Sequence, residues 1–542
     1  MVEPSSQPQS SRTPAFPLLA GRPGLFLALL GGVLLVHAVW FWLDQAPPIW
    51  DMAHHQWRGW MAFHVWFEEG LLNGFPAISD YYPPLYYLQE GLLYLLLGPI
   101  SWIALPANLP ALFLTAFFTW RLALRFIPSP AAEVASVLPL LFPMVAWTSR
   151  ESLLDLPLTG WTLFALYLLV RSRWLQTTGW SLLFGAVVAV GLLTKWSFVF
   201  FLAVPVLWSL YQSERPRQSL RNLLDAALIA IPPVFWWYLP NAQGLLSRLG
   251  STNEAARWEL DPARWELAGW VYYPRVLASY YLCLPLLLIS VAGLVAWAVA
   301  RRKGGADWMQ AHRQPDGRSV FVFLAVTLGG AWAVLTWTTA KDPRYVMPMV
   351  PVLALLAVFF CRYLRRGQWI LLGVAAIQFL AVSFHLPGGP YKWALMEYDP
   401  PSDYRTLSQE WVLFQSQYFD VAGPPTRQDW GYDDLLRQLP EGSVVGFVPD
   451  APRLHVGGLV LKAAQQRKGL SAGNLGRSPI DMQNLSRYTH VVGKTGDQGL
   501  EPLTRNADQV YRLMHALGWG VVWRRPLPDG SFLQLWRPPT PR

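Results

Sequence analysis

The chain contains a long polar interruption, DQAPPIWDMAHHQWRGWMAFHVWFEEGLLNGFPAISDYYPP, which runs from Asp44 to Pro84 directly after the first hydrophobic segment. It carries an acid near its start (Asp51), two adjacent histidines, several tryptophans and a closing Tyr-Pro-Pro. Connections between membrane helices are normally short, because ordering additional residues costs conformational entropy. A connection of about forty residues with an acid next to an apolar segment therefore predicts a functional role for this stretch.

The composition of the chain indicates a membrane protein. Of its 542 residues, 53% are hydrophobic and 14% are charged. Many apolar runs reach the roughly 20 residues that cross a bilayer, which predicts a mainly α, polytopic membrane protein. The net charge of +9 does not indicate nucleic acid, because the Lys and Arg residues lie in short loops of the kind that fix membrane orientation. Both cysteines, Cys283 and Cys361, fall in apolar segments, so neither a disulfide framework nor a CxxC metal site is expected.

Charge distribution selects about eleven membrane spans from twelve apolar segments. If 84–104 does not cross and the N-terminus is cytoplasmic, every cytoplasmic connection after the first span is basic, as the positive-inside rule requires. If 84–104 crosses, all of these basic clusters move outside. We therefore expect 84–104 to lie in the interface, and we expect these spans: 24–43, 106–126, 131–148, 156–171, 179–193, 197–211, 222–240, 277–299, 320–337, 346–363 and 368–386.

The same topology predicts the domain organisation. Residues 1–23 form a cytoplasmic tail, and 24–386 form the membrane domain, with 44–105 as its first extracytoplasmic loop. Residues 387–542 are richer in polar residues and form a small extracytoplasmic α/β domain. Within it we expect strands at 443–450 and 488–496, helices within 451–469 and 505–518, and a hairpin at 523–536 around Pro528-Asp529-Gly530.

Asp51 is the first candidate catalytic residue. A carboxylate near a membrane edge can take the proton of an incoming nucleophile if it lies within hydrogen-bond reach. The alternative is structural, since Asp is also a favoured N-cap for a helix that starts at Met52. His54 follows Asp51 by one helical turn, but His54 and His55 point about 100° apart on a helix and do not form a metal pair.

Two later connections between predicted spans, 149–155 and 194–196, place charged residues on the same predicted membrane face as Asp51. In the first, Arg150 offers a planar fork suited to phosphate, and Asp155 can hold a hydroxyl or orient a base. The alternative is a structural ion pair of Arg150 with Glu151 or Asp155. In the second, Lys195 stands in an otherwise apolar run, where an unpaired lysine suggests a bound anion.

The densest charged cluster is TTAKDPRYVMP, residues 338–348. Lys341, Arg344 and Tyr345 precede a span that contains two prolines. Because this loop is outside in the predicted topology, its basic charge runs against the positive-inside rule and needs another cause. A lipid-linked phosphate is such a cause, since Arg and Lys stabilise the negative charge on a departing phosphate.

These motifs resemble those of the GT-C membrane glycosyltransferases, specifically the bacterial protein O-mannosyltransferase-like group that includes aminoarabinose transferases. The resemblance covers about residues 24–386, and the soluble C-terminal domain fits it as well. The matching motifs, in chain order, are Trp50-Asp51, Tyr82-Pro83-Pro84-Leu85, Arg150 through Leu158, Gly191 through Lys195, and Arg344 through Pro348.

The resemblance implies a sugar donor linked to polyprenyl phosphate and an inverting transfer on the outer face of the membrane. Asp51 matches the family's base and Asp155 a second family acid, while Lys195 and Arg344 would hold the donor phosphate. Further substrate-binding candidates are Tyr82, Arg150, Lys341, Tyr345 and His54. Met52 stands where many members have Glu, and Tyr82-Pro83 replaces a family Lys, which leaves the substrate and the need for a divalent cation open.

We therefore expect a glycosyltransferase of the bacterial cytoplasmic membrane whose active site and C-terminal domain are extracytoplasmic. Its partners would be a polyprenyl-phosphate-linked sugar and a lipid or glycan acceptor, and no certain cofactor or metal ligand is identified. The His-rich motif of eukaryotic protein mannosyltransferases is absent, so a protein acceptor is not expected. The alternative from another class is a transporter or flippase of lipid-linked sugars. It predicts polar residues at mid-span and repeated halves, and the sequence shows neither.

Overall fold

The computed structural model describes residues 21–258, 261–303, 317–389, 392–394, 412–415 and 423–539. Most of the expected N-terminal tail and part of the segment after residue 389 lie outside these ranges. The first half of the membrane domain contains α1 to α10: Pro23–Leu43, Trp50–Glu68, Gly70–Ala77, Leu85–Leu97, Ala104–Ala123, Ala131–Val137, Pro143–Thr148, Asp155–Arg171, Thr178–Thr194 and Phe198–Gln212.

The second half contains longer helices and two irregular turns. Helices α11 to α16 are Pro216–Trp258, Leu267–Val276, Cys283–Arg302, Gly317–Trp337, Val350–Cys361 and Gly367–Phe384. A π-helical turn, Leu277–Leu282, joins α12 to α13, and a 3₁₀ segment, Pro343–Met349, precedes α15. Pro348 inside that segment lacks the N–H that a regular α-helix would need, which accounts for its irregularity.

Within the part of the chain that the structure describes, six helical segments are long and apolar enough to cross a membrane: Pro23–Leu43, Pro216–Glu254, Leu267–Arg302, Gly317–Trp337, Pro343–Cys361 and Gly367–Phe384. The chain is therefore an integral membrane protein, while the count of eleven spans stays a prediction. Helix α4, within 84–104, has 13 residues and a length of about 20 Å, short of the roughly 30 Å hydrocarbon core. The expected span 131–148 is also divided into short helices, so length alone does not decide whether 84–104 crosses, and this too stays a prediction.

The membrane domain is built around one large apolar core that joins α1, α5, α8, α13, α15 and α16. Large side chains on several of these helices also point outward, among them Leu35, Trp42 and Leu288. Exposed apolar surface on this scale marks a lipid-facing exterior rather than a water-facing one. The apolar runs thus serve both the core and the surface.

The C-terminal domain confirms the expectation of a small strand-containing domain. Strands β1 and β2, Lys392–Ala394 and Val412–Gln415, pair antiparallel. The main sheet contains β3 to β7, which are Ser443–Phe447, Leu470–Asn474, His490–Lys494, Gly520–Pro526 and Phe532–Arg537. The helices are α17 to α21: Tyr432–Gln438, Val456–Gln465, Met482–Leu485, Glu501–Thr504 and Ala507–Ala516.

The order of the five-stranded sheet is β4-β3-β5-β7-β6, with β4, β3 and β5 parallel and the last two strands antiparallel. The predicted strands correspond to β3 and β5, the predicted helices to α18 and α21, and the predicted hairpin to β6 and β7. At the hairpin turn, Gly530 has a φ of +80°, a conformation that glycine adopts without steric cost. The hairpin prediction is therefore correct in position and in turn chemistry.

The C-terminal domain is held against the beginning of the first loop. The Thr426 amide donates to Asp44 Oδ1 at 2.8 Å, and the Gln45 amide donates to the Thr426 carbonyl at 2.8 Å. Farther along, Arg453 and His455 reach the carbonyls of Pro47 and Pro48 at 3.0 and 3.3 Å. Helix α18 then packs along α2. The C-terminal domain and the polar stretch 44–84 therefore form one assembly.

We expect the contact at His455 to depend on pH. Burial lowers the pKa of His455 from 6.5 to about 4, although the bond to Pro48 opposes the shift. Because the folded pKa lies below the unfolded one, stability is complete above about pH 6.5 and is lost as the pH falls toward 4. The difference between 6.5 and about 4 corresponds to about 3 kcal/mol. We expect the melting temperature to drop between pH 7 and pH 5, and the drop to be smaller in His455→Gln, which keeps a donor for Pro48. An equal drop in both proteins would contradict this assignment.

Candidate functional site

Residues from several separate parts of the membrane domain line one cavity, and Asp155 and Lys195 are its charged members. Asp155 is the first residue of α8, and Lys195 caps the end of α9. Lys195 Nζ lies 2.7 Å from Asp155 Oδ1, and both side chains are buried. A carboxylate at a helix N-terminus and an ammonium at a helix C-terminus each match the helix macrodipole. The negative charge thus lies at the N-terminus of α8 and the positive charge at the C-terminus of α9, and both helix dipoles stabilise the ion pair.

This pair corrects two sequence-based expectations. Lys195 is not an unpaired lysine in an apolar run, because Asp155 is its partner. The partner of Asp155 is likewise Lys195, rather than Arg150 as the structural alternative supposed. The expectation failed because 40 positions separate the two residues, and only the packing of α8 against α9 brings them together.

The second cation of the site is Arg344, which is held within its own loop. Asp342 caps the 3₁₀ segment by accepting from the Arg344 amide at 2.7 Å, and it also accepts from Arg344 Nε and Nη2 at 3.0 and 2.7 Å. Asp155 and Asp51 also act electrostatically on Arg344. Arg344 therefore lies within the field of acids from α2, α8 and its own loop.

Two tyrosines line the space between these charges. Lys195 Nζ lies 5.3 Å from the ring centre of Tyr345 and 5.9 Å from that of Tyr82, within the range of cation–π attraction. Burial raises the pKa of Tyr82, and nearby phenols and carboxylates, Asp51 among them, raise it further. The Tyr82 hydroxyl is therefore a protonated hydrogen-bond donor at neutral pH.

The cavity itself has a volume of about 310 Å³. Its polar wall contains Tyr82, Asp155, Lys195 and Tyr345. The rest of its lining is largely aromatic and aliphatic and includes Trp196, Phe200, Phe201, Leu249, Leu335 and Trp337. The cavity can therefore accept a ligand that has an anionic group at one end and an apolar body at the other.

Asp51 stands beside this group, in the first turn of α2. The helix begins at Trp50 with Ile49 as its N-cap, so the structural alternative of an N-cap role for Asp51 is wrong. Asp51 is exposed and makes no hydrogen bond or ion pair within the described ranges. A carboxylate held in this way is available to an incoming substrate.

The two adjacent histidines differ in their surroundings. His54, the sequence-based candidate, is exposed and contacts the ring of Trp57 at 5.5 Å. His55 is buried, its Nδ1 lies 2.8 Å from the Tyr87 hydroxyl, and its ring lies 5.4 Å from that of Tyr82. Burial lowers the pKa of His55, with the charges of Lys195 and Arg344 acting in the same direction. His55 therefore faces the site more closely than His54 does. The i,i+4 spacing from Asp51 was the signal that could have found it.

Arg150 lies apart from the cavity. Its Nε donates to His37 Nδ1 at 3.4 Å, its Nη2 donates to Ser383, and its guanidinium stacks 4.8 Å over the Trp40 ring. These partners belong to α1 and α16. In this structure Arg150 ties two helices to the loop before α8, and its proposed contact with a donor phosphate stays a prediction.

Lys341 does not line the cavity either. Its ammonium donates to the carbonyls of Leu335, Thr336 and Thr338 at 3.1, 2.6 and 2.6 Å. Helix α14 ends at Trp337, so these are the carbonyls that lack a partner at a helix end. An ammonium has three N–H donors, and all three are used here to cap the helix.

We expect Lys341→Met to lower the free energy of unfolding by about 1–3 kcal/mol, because buried carbonyls lose a charged donor. Thermal melting of the detergent-solubilised protein measures this loss. Lys303→Met, which removes an exposed lysine at the end of α13, is the matched control. Unchanged melting of Lys341→Met together with lost donor binding would instead support the sequence-based role.

Within the described ranges, no three His, Cys, Asp or Glu side chains are grouped closely enough to hold a metal ion. Asp155 and Asp342 are instead paired with Lys195 and Arg344. The donor set that the structure does assemble is cationic and phenolic, which suits an anionic ligand.

Comparisons with known proteins agree with the resemblance that the sequence motifs indicated. The family model described as dolichyl-phosphate-mannose-protein mannosyltransferase matches residues 20–245. No curated protein sequence matches the chain significantly. Among solved structures, ArnT from Cupriavidus metallidurans in the apo state has a TM-score of 0.58 and 15% identity, over 95% of this chain and 98% of that one.

The same ArnT bound to undecaprenyl phosphate has a TM-score of 0.55 and 16% identity, again over 95% and 98% of the two chains. The overlap thus includes the C-terminal domain as well as the membrane helices. At this identity the comparison establishes a common fold. The family model over residues 20–245 agrees with the resemblance that the motifs predicted, and the solved structures show that the chain shares the fold of ArnT.

Proposed function

We propose that the protein transfers a sugar from a polyprenyl-phosphate donor to a hydroxyl group of a cell-envelope lipid or glycan. The observation that carries this proposal is the cavity in which Lys195 forms one wall and aromatic and aliphatic side chains form the others. A phosphate next to a prenyl chain has this pattern of charge and apolar surface. The ArnT structure with bound undecaprenyl phosphate supports the same class of donor.

The donor phosphate would bind at Lys195 and Arg344. Lys195 uses one of its three N–H donors for Asp155, and the hydrogen bonds of Arg344 to Asp342 involve only Nε and Nη2. The acids therefore fix the direction of both cations and leave donors for a phosphate. A cation held in a water-poor site stabilises developing negative charge by several kcal/mol.

Transfer then needs a base and a leaving group. Asp51 accepts the proton of the acceptor hydroxyl as its oxygen attacks the anomeric carbon. The bond between that carbon and the phosphate oxygen breaks, and its electron pair leaves with the polyprenyl phosphate. Because the nucleophile enters opposite the leaving group, the anomeric configuration inverts. Asp155 assists by holding Lys195 toward the phosphate.

We place the site on the extracytoplasmic face of a bacterial cytoplasmic membrane. Helix α8 begins at Asp155 and ends at Arg171 after 17 residues, which is about 25 Å, so the acid of the site and the basic end of the helix lie near opposite faces. The positive-inside rule assigns Arg171 and the similar clusters to the cytoplasm. The C-terminal domain lies on the same side as the site, because it contacts residues 44–50.

The test uses purified protein in liposomes with a panel of polyprenyl-phosphate sugars and an envelope extract, with and without a chelator. Mass spectrometry follows free polyprenyl phosphate and the glycosylated acceptor. Equal amounts of the two products would support transfer, and the productive donor would name the sugar. Donor that crosses the membrane intact, with no bond broken, would contradict the proposal in favour of a transporter. A loss of turnover with chelator would assign a divalent cation to the reaction.

A further inference from the structure

The carboxyl ends of the parallel strands in the C-terminal sheet lie against the membrane domain, where Asp450 contacts Trp50. The chain passes from β3 to β4 on one side and returns to β5 on the other, so the strand order reverses between β3 and β5. In open α/β sheets, ligands bind at the carboxyl ends next to such a reversal. Here Asp450, just after β3, accepts from the Trp50 indole Nε1 at 2.8 Å. The sheet therefore holds a side chain of the membrane domain where other sheets hold a ligand.

Asp450 is itself fixed. Its second oxygen accepts from Asn474 Nδ2 at 2.7 Å, at the end of β4. Its backbone amide donates to Gln498 and its carbonyl accepts from Leu500. Three residues from two segments of the domain thus determine where this carboxylate lies, which makes it a rigid acceptor for Trp50.

The residues before Trp50 are hydrogen-bonded to the same domain. Pro47 and Pro48 have no N–H and can be held only through their carbonyls. Those carbonyls receive hydrogen bonds from Arg453 and His455, which precede α18. The segment that leads into α2 is therefore fixed on both sides of the Pro-Pro pair.

Trp50 also has a strained backbone. Its φ is +24°, outside the range that a residue other than glycine normally adopts. Such a conformation costs about 1–3 kcal/mol and persists only where surrounding contacts impose it. Asp51, the next residue, has no side-chain partner within the described ranges. Its location is therefore set by the backbone at Trp50.

We propose that the C-terminal domain positions the base: the hydrogen bond from Trp50 to Asp450 fixes the first turn of α2 and thereby aims the Asp51 carboxylate. Trp50 and Asp450 thus act as positioning residues, through the backbone that carries Asp51. The inference rests on the proposed function, since it assumes that Asp51 is the base.

The test compares Trp50→Phe, which keeps a ring but removes the N–H, with the wild type. Asp450→Leu removes the acceptor, and Asp450→Asn restores an acceptor oxygen without the charge. Asp508→Asn, an exposed acid in α21 of the same domain, is the control. Hydrogen exchange of the peptide 49–58 measures how firmly the turn is held, and kcat and KM for the polyprenyl-phosphate sugar measure its effect on turnover.

We expect faster exchange and a kcat about 10- to 100-fold lower in Trp50→Phe, the range for a misplaced catalytic group. KM for the donor should stay unchanged, because the donor contacts at Lys195 are not altered. Asp450→Leu should behave in the same way, while Asp450→Asn should restore most of kcat. Trp50→Phe leaves the C-terminal domain untouched, so it remains informative even if Asp450→Leu disturbs the fold of that domain.

Three results would overturn the inference. Unchanged exchange in Trp50→Phe would show that the hydrogen bond does not hold the turn. A second contrary result is faster exchange in Trp50→Phe with wild-type kcat, while Asp51→Asn is inactive. The hydrogen bond would then hold the turn without affecting catalysis, and the proposed function would stand. Full activity of Asp51→Asn would remove the base itself, and the proposed mechanism would fail with the inference.

Discussion

Asp51→Asn is expected to lower kcat by about 10²- to 10⁴-fold, which is the contribution of a well-placed general base. The amide has nearly the same shape as the carboxylate, but it cannot accept the proton of the acceptor hydroxyl. Asp51 is exposed and has no partner within the described ranges, so its replacement should change the free energy of unfolding by less than about 0.5 kcal/mol. Release of polyprenyl phosphate and thermal melting measure the two quantities separately.

A matched acid from the same loop gives the control. Glu69 is exposed at the end of α2, and Glu69→Gln removes one negative charge without touching the cavity. We expect wild-type kcat in Glu69→Gln and donor binding in both variants. If Asp51→Asn turns over at the wild-type rate, the base is another group, and Asp155 becomes the first alternative because it lines the cavity.

Local chemistry made much of the fold predictable. Apolar length indicates membrane helices, and alternation with turn residues located β3, β5 and the hairpin of β6 and β7. The number of spans is less accessible, because several apolar helices such as Thr178–Thr194 are shorter than a bilayer requires. Whether a short helix crosses depends on its neighbours, which a hydropathy pattern does not contain.

The sequence predicted which residues belong to the site better than it predicted the contacts between them. Asp155, Lys195, Tyr82 and Tyr345 do line one cavity. The sequence could not show that Lys195 pairs with Asp155, or that Lys341 caps α14, since both depend on where helix ends meet. The hydrogen bond from Trp50 to Asp450 joins residues 400 positions apart, and no local sequence pattern encodes such a contact.

Lys195→Met is expected to remove both the donor site and a buried ion pair. Loss of the cation leaves the departing phosphate unstabilised, which should lower kcat by about 10²- to 10³-fold, the effect of removing one such donor. It also leaves the Asp155 carboxylate buried without a partner, and breaking a buried pair in this way costs about 3–5 kcal/mol. Melting temperature and polyprenyl-phosphate release should therefore fall together.

A double variant separates these two losses. In Lys195→Met combined with Asp155→Asn, no charge is left unpaired, so stability should recover by most of the 3–5 kcal/mol, which is about the cost of an uncompensated charge. Turnover should stay low, because no ammonium meets the phosphate. Recovery of both stability and turnover would show that the pair only supports the fold, and Arg344 would then be the main phosphate ligand. The separation works because stability requires only that the charges balance, whereas transfer requires the positive one to be present.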